Sequence, residues 1–179
     1  KYINALGQSF RDFLAGKLPA LPGELPTLSD WADHLTTIFP EVRLKQFIEM
    51  RGADAGNRAH MIALPAFWVG LMYDQGALDA AWDLVKTWSA ETREAWRVGA
   101  SVSALQAEVG GKTMQSLAGE VLKLSQAGLA ARGLDEERWL APVAENVARG
   151  MVQADDLLAA DVGEWDGDLT KVYAATSLL

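Results

Sequence analysis

Apolar positions along this chain recur mostly at helical spacing, and one short segment alternates instead. Leu28, Trp31, Leu35 and Ile38 fall on one stripe of a helix that Thr27 caps and Pro40 ends. Ser9, with Asp12 three residues on, reads as the N-cap of a shorter helix that Gly16 closes. Between the two, residues 18–26 carry Pro19, Pro22 and Pro26, so an extended loop is expected there. Residues 61–73 have hardly a polar side chain on any side, which predicts a buried helix, bent or begun at Pro65. From residue 76 onward only helices are expected, over 77–88, 90–99, 113–132, 135–150, 153–162 and 168–177, each bounded by Gly, Ser, Thr or Asp. No internal repeat or low-complexity stretch interrupts the pattern.

The alternating segment is 43–51. Read as one extended strand, it turns Arg43, Lys45, Phe47, Glu49 and Arg51 to one face and Leu44, Gln46, Ile48 and Met50 to the other. Three cations then surround one carboxylate within about 27 Å of strand. That face suits an anionic ligand. Glu49 is a candidate Mg2+ ligand, because a hard cation prefers carboxylate oxygen, and Arg51 is a candidate phosphoryl-binding group. Arg43 and Lys45 strengthen the positive field around them. The competing reading is a cross-strand ion pair on a solvated face, and spacing does not separate the two. A single strand, with the end of another at Tyr2-Ile3, cannot make a sheet, because its backbone groups need partners. The expected architecture is therefore mostly α with one or two orphan strands, whose partners lie upstream in a longer protein.

Composition narrows the function. The 179 residues suffice for one domain with a sizeable core, and 50% apolar with 22% charged residues is an ordinary globular balance. The net charge is −8, and residues 75–179, with nine basic and sixteen acidic side chains, carry −7 of it. Nucleic acid, which needs a basic face, is excluded as a partner. With no cysteine, neither a disulfide framework nor a thiolate metal site is possible. The apolar run 61–72 is too short to span a membrane, for which about 20 residues are needed. No signal peptide is visible, and the chain opens at Lys1-Tyr2-Ile3 without an initiating Met, which reads as a piece of a longer protein.

Other chemistry-bearing residues have plainer readings. His34 and His60 are expected to pack or cap, and two histidines make a zinc-type site improbable. Asp54 is expected to cap the following helix or to orient Arg51. Gly110-Gly111-Lys112-Thr113 resembles the end of a phosphate-binding loop, but the required first glycine is Gln106, so a loop and helix cap are expected. Trp82, Trp88, Trp96, Trp139 and Trp165 lie on helical stripes and are expected in core or interface. Glu164 to Asp168 lacks calcium-loop spacing and reads as solvated surface and a helix start.

Five stretches resemble a known family: Ala15-Gly16-Lys17-Leu18-Pro19, Leu21-Pro22-Gly23-Glu24-Leu25-Pro26, His34-Leu35-Thr36-Thr37-Ile38-Phe39-Pro40-Glu41-Val42-Arg43, Glu49-Met50-Arg51-Gly52-Ala53-Asp54 and Ala63-Leu64-Pro65-Ala66-Phe67-Trp68-Val69-Gly70. They are similar to glutamate–cysteine ligase of the plant and proteobacterial type, densely over residues 1–88 and more loosely to Gly163-Glu164-Trp165, and correspond to its carboxyl-terminal portion. The resemblance implies ATP-dependent joining of the glutamate side-chain carboxylate to the amine of cysteine through an acyl phosphate, the first step of glutathione synthesis. It implies a glutamine-synthetase-like parent, with a curved antiparallel sheet forming a cup around ATP and Mg2+ and helices packed outside. On that basis Glu49 is expected to bind Mg2+ and Arg51 to act as catalytic and phosphate-binding cation. Arg43 and Lys45, from their place on the same strand face more than from the family, are expected to make further contacts with phosphate or the glutamate carboxylate, Arg43 as a second catalytic residue and Lys45 as a nucleotide contact. The partners implied are glutamate, cysteine, ATP and the amino-terminal part of the same enzyme, in a cytoplasmic location.

Residues 1–74 are expected to contribute to the cup and 75–179 to form a helical layer of the same domain. Ala5, Ala20 and Ile62 stand where plant relatives carry regulatory cysteines, so disulfide control is not expected. Gly56-Asn57-Arg58-Ala59-His60 replaces a plant Gly-Pro-Trp-Arg-Arg, which bears on substrate details. Two other readings remain open. One is a related ligase that activates glutamate for another amine; the other is a helical fragment that is inert when isolated.

Overall fold

The computed structural model describes residues 3–44 and 46–177. Two compact units divide between Ala53 and Asp54. The apolar helix lies within residues 54–179. Other helices of that unit cover its buried face.

In the first unit, α1 (Phe10–Leu14) and α2 (Leu28–Thr36) start at the predicted caps. The Ser9 side chain accepts from the Arg11 amide. Thr27 and Asp30 form a reciprocal capping box: the Thr27 hydroxyl accepts from the Asp30 amide, and the Asp30 carboxylate accepts from the Thr27 amide at 2.7 Å. The proline-rich stretch between the helices forms turns, held by the Ala20 amide donating to Gln8 Oε1 and the Gly23 amide to the Gly16 carbonyl, each at 3.0 Å. Phe10 stacks on His34 with ring centres 4.2 Å apart, and Phe13 and Trp31 pack against Phe10. His34 is thus a packing histidine, as expected.

The predicted single strand is instead a hairpin. β1 (Val42–Leu44) pairs antiparallel with β2 (Ile48–Met50), matching Val42 with Met50, Arg43 with Glu49 and Leu44 with Ile48. Folding back satisfies within the chain the backbone groups that a lone strand would leave unpaired. Alternation survives the fold, because Arg43 and Glu49 are directly opposite and share a face. The possible strand end at Tyr2-Ile3 falls partly outside the described residues, and Ile3 is exposed and in no strand.

The second unit is built on α3 (Arg58–Met72) and α6 (Met114–Ala131). α3 does not begin at Pro65: the Asn57 side chain accepts from the His60 amide and starts the helix earlier, with Pro65 inside it. Asp54, expected to cap it, does not. Ala63, Gly70 and Leu71 are buried, whereas Met61, Ile62 and Leu64 are exposed, so the helix is buried on one side rather than all round. The contact with α6 is unusually close. A Cβ added to Gly128 would overlap the Gly70 carbonyl, and one added to Gly70 would overlap the Ser125 backbone. Ser125, fully buried, donates its hydroxyl to the Phe67 carbonyl at 2.8 Å across this crossing. Leu122, Leu129 and Leu140 form the core, packed by Phe67, Val69, Val143 and Val147.

The remaining helices follow the sequence closely. α4 (Gln75–Val85) is capped by Asp74 and packs on α6. α5 (Ala90–Ser103) runs past Gly99, where a Cβ would meet the Ala107 Cβ at 3.0 Å, so this glycine allows close packing rather than ending the helix. Glu108–Val109 (β3) and Lys112–Thr113 (β4) form a small unpredicted hairpin, turned by Gly110 and Gly111 at φ +60° and +79°. Lys112 pairs with Glu120 at 2.7 Å, and Thr113 caps α6, as expected. The expected helix over 135–150 is split into a 3₁₀ turn (Glu137–Leu140) and α7 (Ala141–Arg149), because Pro142 has no amide to donate. α8 (Gln153–Val162) and α9 (Thr170–Thr176) complete the unit. Trp96 and Trp165 are buried, while Trp82 and Trp139 are exposed. The fold is mostly α with two short antiparallel strand pairs, in agreement with the expected class.

Two outcomes follow from this packing. Gly128→Ala is expected to destabilise the chain by about 3 kcal/mol through overpacking. Gly119→Ala, on the same helix with only Val147 Cγ1 nearby at 3.7 Å, is expected to leave stability unchanged or raise it by up to about 1 kcal/mol. Urea unfolding of both variants checks this, and equal effects would contradict the close crossing. In the capping box, the hydrogen bonds from the Thr27 hydroxyl and amide hold the Asp30 carboxyl below its ordinary value of 3.8. A depressed carboxyl stabilises the helix above its unfolded value and loses that contribution as pH falls through the folded one. The Thr27 amide resonance should therefore titrate with a midpoint below 3.8, and a midpoint at or above that value would contradict the box.

Candidate active site

The β1–β2 hairpin brings together three of the residues singled out in the sequence, Arg43, Glu49 and Arg51. Arg43 and Glu49 occupy opposed ladder positions, and Arg51 follows Glu49 by two residues on the same face. Arg43 Nε donates to Glu49 Oε2 at 2.7 Å, while Arg51 Nε lies 3.9 Å from the same oxygen. The cross-strand ion pair weighed as the plainer reading is therefore present. It does not exclude a ligand site. Side-chain exposures of 29% for Arg43, 31% for Glu49 and 27% for Arg51 leave all three side chains partly exposed, with Arg51 Nη1 itself covered.

Charge is not balanced here. One carboxylate faces two guanidiniums, and the one in close contact with it is Arg43. Arg51 is held by other means: its amide donates to the Glu41 carbonyl at 2.7 Å, and its guanidinium lies over the Phe39 ring, 5.5 Å from the centroid. Its Nη1 is buried and has no hydrogen-bond partner. A buried guanidinium donor without an acceptor is costly, and an anionic oxygen would satisfy it. Lys45, the fourth predicted member, lies outside the described residues.

For a divalent metal the donor set is small. Among the described residues no three His, Asp or Glu side chains gather as a site. Mg2+ needs only one or two protein carboxylates when substrate phosphates supply further oxygens. Glu49 fits that role as a single donor, and the two arginines fit the phosphates.

His60 does not join this chemistry. Its Nδ1 meets Asn57 Oδ1 and its Nε2 meets Asn146 Nδ2, both at 3.0 Å, so both ring nitrogens are engaged. A cavity of about 730 Å³ in the second unit is lined by Asp54, His60, Val152, Gln153, Leu157 and Thr176. Sequence reasoning did not foresee it, because its walls come from residues about a hundred positions apart. It also missed the part of Phe39, whose position before Pro40 read only as the end of a helix.

The chain belongs to glutamate-cysteine ligase family 2, whose family model matches residues 9–175. It is 48% identical over 173 residues to the chloroplastic glutamate–cysteine ligase of Medicago truncatula, covering 97% of this chain and 34% of that one. The chloroplastic enzyme of Arabidopsis thaliana is 48% identical with 33% of its length covered, and ligase A of Oryza sativa subsp. indica 46% with 35%. The chain thus spans about a third of the length of the curated relatives it matches. The expected cytoplasmic location is overturned by these relatives, which are named as chloroplastic. No helix among the described residues is long and apolar enough to cross a membrane.

The half-exposed character of the Arg43–Glu49 pair sets its energetic worth. Glu49→Gln is expected to change unfolding free energy by less than about 1 kcal/mol, as for other partly exposed pairs. A loss of about 3 kcal/mol or more would make the pair a structural element of the hairpin instead.

Proposed function

We propose that this chain is the carboxyl-terminal part of an ATP-dependent ligase that joins the glutamate side-chain carboxylate to the amine of cysteine. The observation that carries this reading is a family match over residues 9–175, a span that includes the hairpin where Glu49 lies beside Arg51, whose Nη1 has no acceptor. In the reaction, a glutamate carboxylate oxygen attacks the γ-phosphorus of ATP, ADP leaves, and an acyl phosphate forms. The cysteine amine then attacks the acyl carbon, phosphate departs, and the amine loses a proton. Nucleophile and phosphates are both anionic, so fixed positive charge must offset their repulsion and the charge that grows in the transition state.

Arg51 supplies such charge, with Nη1 as the donor to a phosphate oxygen. Arg43 sits on the same face and can turn from Glu49 to a phosphate or to a substrate carboxylate. Glu49 would hold Mg2+, which supplies charge neutralisation and alignment of the phosphates. Lys45 belongs to the same proposal as a further nucleotide contact. The amino-terminal part of the enzyme would contribute the other metal carboxylates and the rest of the cup.

A second reading concerns the chain by itself. It covers a third of its relatives' length, which favours an inactive isolated fragment. In the full-length protein, ADP release should require both glutamate and cysteine, and Glu49→Gln should lower Mg2+-dependent turnover about a hundredfold, the scale of losing one preorganised charge-stabilising group. The isolated 179-residue chain should show no glutamate-dependent ATP hydrolysis. Turnover that survives Glu49→Gln would remove the metal assignment; wild-type release indifferent to glutamate would remove the ligase reading.

A further inference from the structure

We infer that Phe39 is a positioning residue for the proposed phosphate site, holding the Arg51 guanidinium by its ring face so that the donor Nη1 stays uncommitted to any protein acceptor. What Arg51 binds rests on the ligase reading; the contact itself does not. Phe39 is 76% exposed, so it is not a core residue whose place is explained by burial. It precedes Pro40, which biases its backbone to the extended region and so limits where the ring can point. Two residues on, the Glu41 carbonyl accepts from the Arg51 amide at 2.7 Å, tying the Arg51 backbone to the same short segment. The guanidinium carbon then lies 5.5 Å from the ring centroid, within the range of a cation–π contact.

The choice of a ring has a chemical consequence. A carboxylate partner would fix Arg51 by taking its N–H donors and cancelling its charge. Glu49 does this for Arg43 at 2.7 Å but stands 3.9 Å from Arg51 Nε, beyond hydrogen-bond reach. An aromatic face restrains the guanidinium plane while leaving its edge donors and its full charge for an anion. The buried, unpartnered Nη1 is the donor so preserved.

The test uses the full-length protein with 15N-labelled arginine, the Arg51 Nε–H resonance being assigned by its loss in Arg51→Lys. Phe39→Leu should abolish the ring-current shift of that resonance, and Phe39→Tyr should keep it. In parallel, Phe39→Leu should lower kcat/KM for ATP about threefold to tenfold, matching the usual strength of a cation–π contact, with the change in KM. Phe39→Tyr should stay within about twofold of wild type, a rescue that a merely space-filling role would not require of the ring. An Arg51 resonance unmoved by Phe39→Leu would overturn the contact. A Phe39→Leu enzyme with wild-type KM, or a Phe39→Tyr enzyme as impaired as Phe39→Leu, would overturn the positioning role. If wild-type ADP release needs neither glutamate nor cysteine, the ligase reading and the phosphate role fall together, and the resonance alone still decides whether the ring holds Arg51.

Discussion

Two helices that touch backbone to backbone set the frame of residues 54–179. Gly70 on α3 and Gly128 on α6 leave no room for a side chain, and the Ser125 hydroxyl, buried between them, donates to the Phe67 carbonyl. Close approach brings Phe67 and Val69 against Leu122 and Leu129, and α4 and α7 pack around the same pair. The sequence of α3 is apolar enough to be buried on every side, yet only one side is covered here. Its other face keeps Met61, Ile62 and Leu64 exposed.

The hairpin unit obeys a different constraint, which is charge. Two guanidiniums and one carboxylate on a two-stranded ladder cannot all be satisfied by each other. Arg43 takes the short contact, and Arg51 is left with an aromatic face and a buried donor. A fold that only needed a stable turn would neutralise both cations or expose them fully. The anion-binding surface proposed above needs them restrained and incompletely paired.

Much of this was readable from residue order, for reasons that differ by element. Helix starts were fixed by local chemistry at Ser9, Thr27 and Thr113, whose side chains accept from amides two or three residues on. The polar face of the hairpin was readable because alternation is preserved when a strand folds back in register. The fold-back itself was not, because no glycine or Asn-Gly pair stands between Leu44 and Ile48 in the sequence. Gly99 misled in the opposite way: a glycine inside a helical pattern looked like a stop, when its missing side chain makes space for Ala107. The Phe39–Arg51 contact and the cavity around His60 depend on residues far apart in the chain, which local pattern does not encode.

The central claim is that the Arg43–Glu49–Arg51 face binds the phosphates and metal of a nucleotide. A crystal structure of the full-length protein with Mg2+ and a non-hydrolysable ATP analogue tests it most directly. The account predicts that Glu49 leaves Arg43 to meet the metal, and that Arg51 Nη1 lies within hydrogen-bond distance of a phosphate oxygen. A nucleotide bound elsewhere, with the Arg43–Glu49 pair intact and Arg51 Nη1 still without an acceptor, would contradict it.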